Sequence, residues 1–140
     1  MNPLFSFKFK NESTWRNLTN FWTFVFIAFT ILDFFTKNSL DFLVAPMSVI
    51  YVGILGLYVG TKEFDRWYDL HTSRHPGELF VFFWTVIVFG LMVASMLLQN
   101  GYRISTEIVA TYIMVLSVFA LTQKSKRLYE RKKTQKKKGK

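Results

Sequence analysis

Four long apolar runs constrain this chain more than any other feature of it. They cover residues 18–35, 42–59, 79–98 and 104–121. Each approaches the roughly 20 residues a helix needs to cross about 30 Å of hydrocarbon. A buried helix of a large soluble protein can look the same, but with four such runs within 140 residues membrane spans are expected rather than a soluble core. The third run carries no charge at all, while the first and fourth each hold one acid, Asp33 and Glu107. With 51% apolar and 19% aromatic residues, the chain is greasier than ordinary soluble domains of this size. The expected fold is all-α: an integral-membrane four-helix bundle with spans at about 18–37, 42–61, 77–98 and 104–123, forming a transmembrane domain over residues 1–123.

The formal charge of +9 is localised. Residues 124–140 hold ten Lys and Arg against the single acid Glu130, and the rest of the chain balances at eight against eight. The expected layout is a neutral membrane body with a polybasic tail. Lys and Arg near span ends are retained on the cytoplasmic side. Three lie in residues 1–17, three in 62–76 and ten in the tail, against only Lys37 and Arg103 in the other two connections. This asymmetry predicts both termini in the cytoplasm. Lys8, Lys10 and Arg16 ahead of the first run resemble a signal peptide, but no small-x-small cleavage site follows before Lys37, so a retained first helix is expected.

Short outer connections, around 37–41 and 99–103, force antiparallel neighbours and predict two helical hairpins. Asn100-Gly101 tolerates positive φ and suits a tight reversal. Pro46 near the start of the second span either marks a first turn or removes a hydrogen bond within the helix. Pro76 opens the third span, with Glu78 in its first turn, where the helix dipole favours an anion. Small residues are the packing signal inside a bilayer. Gly53, Gly56 and Gly60 on the second span and Gly90 and Ala94 on the third mark faces expected to meet, within one chain or across a homo-oligomer.

No helix breaker separates Gly60 from Ser73, which predicts that the second helix runs on over residues 62–73. Phe64, Trp67, Tyr68 and His71 then fall at i, i+3, i+4 and i+7, opposite a charged face. Such an amphipathic helix lies along the inner membrane surface with its rings at headgroup level, or docks a partner protein. Lys124, Lys126, Arg127, Arg131, Lys132 and Lys133 follow directly on the last span. Cations placed there attract anionic lipid headgroups at about 1 kcal/mol each near the surface. The simpler alternative is a topology anchor that holds the C-terminus inside. Nucleic acid is disfavoured as a partner, because Tyr129 is the one aromatic residue among them available to stack on bases.

Intramembrane acids are costly, which makes Asp33 and Glu107 candidates for an ion site. With Asp41 they would form a proton- or cation-binding cluster at the outer mouth of the bundle. The simpler alternative is a pair of helix ends neutralised locally, since Asp33 precedes Lys37 by four residues and Glu107 follows Arg103 by four. His71 and His75 have i, i+4 spacing, but no glutamate stands between them as in a zinc-protease helix, and the segment runs into Pro76. The chain contains no cysteine, which excludes thiolate metal sites, disulfides and cysteine nucleophiles. No catalytic residue, metal site or cofactor is expected, nor is an enzyme.

The stretch from Gly60 to Tyr68, followed by Arg74-His75-Pro76-Gly77-Glu78 at the head of a span, resembles small uncharacterised four-helix membrane proteins of ultra-small candidate-phylum bacteria. That resemblance implies a bacterial inner-membrane setting and carries no functional residues. In layout alone, the chain also resembles a phage holin. The leading expectation is a non-enzymatic scaffold or interaction protein that contacts lipid or a partner through its aromatic helix and cationic tail. The alternative is a holin-like pore-former or a small ion or solute transporter.

Overall fold

The computed structural model describes residues 3–68 and 77–139. Among them are four helices, α1 (Pro3–Phe35), α2 (Asp41–Trp67), α3 (Gly77–Leu98) and α4 (Thr106–Lys138), and no strand. All four are long and apolar enough to cross a membrane, which points to a multi-pass membrane protein. The distribution of exposed side chains agrees. Phe21, Phe24, Phe42, Leu57, Phe82, Phe89, Met96 and Leu97 all face outward, a surface suited to acyl chains rather than water.

Helices α1 and α4 run beyond the spans expected of them, and α2 runs on past Gly60, within the described residues as far as Trp67. Helix α4 is 33 residues long, about 50 Å at 1.5 Å per residue, against about 30 Å of hydrocarbon. The basic segment is therefore helical as far as Lys138 rather than a loose appendage. The span supplies the costly nucleus, the following Lys, Arg, Glu and Gln are good helix formers, and no Gly or Pro intervenes before Gly139. The three lysines of the last turn also complement the negative end of the helix dipole. Pro46 lies inside α2, five residues past Asp41, so it does not open the helix; it costs α2 one backbone hydrogen bond. Pro76, His71 and His75 lie outside the described residues.

A buried aromatic and hydroxyl cluster joins three helices near the middle of their apolar runs. Phe26 of α1, Tyr51 of α2 and Trp84 of α3 are each fully buried. Their ring centroids are separated by 5.3 to 5.8 Å. The Trp84 indole N–H donates to the Tyr51 oxygen at 3.1 Å, and the Thr23 hydroxyl lies 3.4 Å from the same oxygen. No water is available at this depth, so a polar group must find its partner within the bundle. Helix α4 joins this core through Ile108 and Val115 and meets α3 again where the Thr85 and Tyr112 hydroxyls pair at 2.9 Å.

Helices α2 and α4 lie side by side in the same sense, since Ser105 bonds Asp41 at one end and Trp67 bonds Ser125 at the other. The α1–α2 and α3–α4 connections need unusual backbone. Lys37 and Asn38 have φ of 58° and 62°, and Gln99 and Gly101 have 44° and 88°. The reversal after α3 therefore places Gln99 and Gly101, rather than Asn100, in the left-handed region that costs a side chain free energy.

Candidate functional site

Two ends of the bundle and one helix face contain the residues singled out by the sequence. At the Lys-rich end, α2 and α4 are clamped together. Glu63 accepts two hydrogen bonds from Arg66 at 2.7 and 2.8 Å. The Ser125 hydroxyl donates to Glu63 at 2.6 Å and accepts from the Trp67 indole N–H at 3.0 Å. Arg66 also reaches the Thr122 carbonyl at 3.4 Å. Trp67 then meets the Tyr129 ring edge-on at 6.0 Å, and Lys132 sits 5.4 Å from the Trp67 ring centroid. Lys133 stands similarly over Tyr129.

This clamp divides the aromatic stripe. Trp67 belongs to the α2–α4 contact, while Phe64 and Tyr68, four residues apart and therefore on one face, are 69% and 73% exposed. His71 lies outside the described residues and cannot be placed with them. Sequence periodicity identified the stripe but missed the clamp: Glu63 and Arg66 pair locally at i, i+3, but what joins them to Ser125 and Thr122 are contacts about 60 positions apart in sequence.

Beyond the clamp, α4 carries Lys126, Arg127, Arg131, Lys132 and Lys133 on a helix continuous with the span, with Lys124 just before Ser125. Arg127 and Arg131, four apart, line a shallow groove with Glu130, Thr134 and Lys138. The cations are held on a helical frame, not on a coil.

At the opposite end, the acids behave differently from the expected self-neutralised helix ends. Asp33 is completely buried. Its Oδ1 accepts the Leu40 N–H at 2.9 Å and its carbonyl accepts the Asn38 N–H at 2.8 Å, so it holds the α1–α2 connection closed. Its Oδ2 has no hydrogen-bond partner, and neither has the hydroxyl of Thr30, one turn deeper. Lys37 does not pair with Asp33; its ammonium lies 5.4 Å from the centroid of the Tyr102 ring. That ring also packs on Phe34.

Ser105 connects the two other carboxyls, donating to Asp41 at 2.9 Å and forming a short contact with Glu107. Arg103 makes no ion pair with Glu107, whereas Arg66 does pair with Glu63 at the other end of the bundle. The Thr23 hydroxyl donates to the Thr19 carbonyl at 2.7 Å, one turn back on its own helix, whereas the Ser95 hydroxyl reaches across to the Tyr102 carbonyl at 2.8 Å. Asp33, Asp41, Ser105 and Glu107 thus gather at one end, with Thr30 beneath. No group of three or more His, Cys, Asp or Glu among the described residues is arranged to hold a metal ion.

The small-residue face does not pack within the chain. A Cβ added at Gly53, Gly56, Gly60 or Gly90 would meet nothing within 4 Å, and Ala94 on α3 is half-buried. The principal helix contacts are instead α1 with α2, α2 with α4 and α3 with α4. The expected meeting of the α2 and α3 glycine faces within one chain is therefore not made. Small residues permit close approach but do not compel it, and here the bulky Tyr51 and Trp84 set the spacing.

Compared with protein families, curated proteins and solved structures, the chain matches none.

Proposed function

We propose that this chain is a non-enzymatic protein of a bacterial inner membrane, built as two antiparallel helical hairpins with both termini in the cytoplasm. It acts as an interaction module, presenting a cationic helix to anionic lipid headgroups or to an acidic partner. The sixteen-to-two asymmetry of Lys and Arg supports this orientation. One observation carries the functional reading: α4 is a single helix from Thr106 to Lys138, fixed to α2 by Glu63, Arg66, Trp67 and Ser125 just where it leaves the span. From Ser125 to Lys138 it extends about 20 Å further. Disordered lysines would suffice to anchor topology; a clamped helix gives cations a fixed spacing. Phe64 and Tyr68 stand exposed at its base, at the depth where aromatic rings favour the headgroup region.

A second reading, a small ion transporter or pore, is favoured by Asp33, whose buried Oδ2 has no partner although charge is expensive at such a site. A flux assay separates the two. In anionic liposomes, the protein is expected to leave the bilayer as tight to ions and dyes as protein-free liposomes. Flux above that background, altered by Asp33→Asn or Glu107→Gln, would replace the interaction module with the transport reading.

A further inference from the structure

At the end of the bundle away from the basic helix, one carboxyl is buried with nothing to balance its charge. Asp33 is completely buried, and the segments around it, residues 30–41 and 95–107, all lie among the described residues. Its Oδ1 accepts one N–H, from Leu40, and its Oδ2 has no hydrogen-bond partner. Neither cation of this end pairs with it. The Lys37 ammonium lies over the Tyr102 ring, Arg103 is exposed on the α3–α4 connection, and the last turn of α3 carries no basic residue. The charges that do reach Asp33 are both negative, Asp41 on α2 and Glu107 on α4. On α1 itself the next polar side chain inward is Thr30, also fully buried and also without a partner, and its hydroxyl supplies no charge.

We infer that Asp33 is a proton-binding site: the folded bundle holds this carboxyl neutral at neutral pH, with the proton on Oδ2, the oxygen that no N–H reaches. An ionised carboxylate out of water needs a cation or several donors, and Asp33 has a single donor and two like charges nearby. A proton is selected over a metal ion by the scarcity of oxygens. Hard cations take six or more oxygen ligands, whereas the carbonyls of Leu32, Asp33 and Phe34 in the last turn already accept the N–H groups of Thr36, Asn38 and Lys37. The neutral acid keeps Oδ1 on the Leu40 N–H, so the α1–α2 connection stays closed without leaving a charge inside the bundle. This inference concerns the same carboxyl as the transport reading but does not rest on it, because a tight bilayer in the flux assay would leave the proton site standing. It is equally independent of the cationic helix.

The test is infrared spectroscopy of the full-length protein in liposomes, reading the C=O stretch that a carboxyl shows only when protonated. At neutral pH the wild type should show this band, although an exposed Asp or Glu is ionised there almost completely. The band should be lost in Asp33→Asn, retained in Asp41→Asn and Glu107→Gln, and lost from the wild type as pH is raised into the alkaline range. Asn replaces a neutral acid with a neutral amide of the same shape, and an unchanged helical, monodisperse profile establishes that the variant is folded. The wild type labelled with carboxyl-13C aspartate gives a second measurement that needs no substitution, since the band must then shift to lower frequency. No protonated-carboxyl band at neutral pH, a band that survives in folded Asp33→Asn, or a band that labelled aspartate does not move would each overturn the assignment.

Discussion

Tyr51→Ala is expected to destabilise the bundle by about 3 kcal/mol or more, the range for removing a large buried aromatic side chain. Tyr51 is completely buried between Phe26 and Trp84, so the cavity opens in the middle of the packing and not at its edge. The substitution also removes the acceptor of the Trp84 indole N–H, leaving a donor with no water to turn to. Tyr51→Phe isolates that second part. It keeps the ring and should cost only about 1 kcal/mol, because hydrogen bonds between membrane helices are worth modest amounts. Equilibrium unfolding in mixed detergent micelles measures both. Equal losses for the two variants would show that the hydroxyl, not the ring packing, dominates this cluster.

The second large effect is expected at the α2–α4 clamp. Replacing Glu63 with Ala removes the acceptor shared by Arg66 and Ser125 and frees the hydroxyl that orients Trp67. The pair is mostly buried, with side chains 13% and 19% exposed, and solvent screens only the part that remains accessible. A loss of about 1.4 kcal/mol remains reasonable for a network of charge-assisted bonds, equivalent to about tenfold. Amide exchange over residues 126–138 should therefore quicken about tenfold in Glu63→Ala, and a similar change is expected for Trp67→Ala. Exchange in the spans should stay unchanged. Protection of the α4 extension that is indifferent to both substitutions would mean that it is helical by propensity alone.

The span count was legible because hydropathy acts locally: each run announces itself without its neighbours. Run-on of α2 past Gly60 could be read in the same way, from the absence of breakers. The full helicity of the basic segment could not. Its sequence has no apolar periodicity, and its order comes from continuity with a span and from Trp67 and Glu63, residues remote in sequence. Asp33 shows the same limit. Spacing to Lys37 suggested local neutralisation, yet Lys37 and Asn38 adopt positive φ, the helix ends at Phe35, and the i, i+4 geometry that the pairing needs is lost. The glycines were legible as small but not as unpartnered, since which faces meet depends on where the bulky residues sit.

The most direct measurement of the central claim is docking of the protein, held in zwitterionic nanodiscs, to vesicles containing phosphatidylserine. Each Lys or Arg near an anionic surface contributes about 1 kcal/mol, and α4 presents several on one helical frame. Wild-type protein should dock, weaken as added salt shortens the Debye length, and ignore vesicles of phosphatidylcholine. Changing the Lys and Arg of residues 126–138 to Gln should lower docking at least about tenfold. Equal docking by that variant, or docking that salt does not touch, would contradict the account of α4 as a cationic interaction helix.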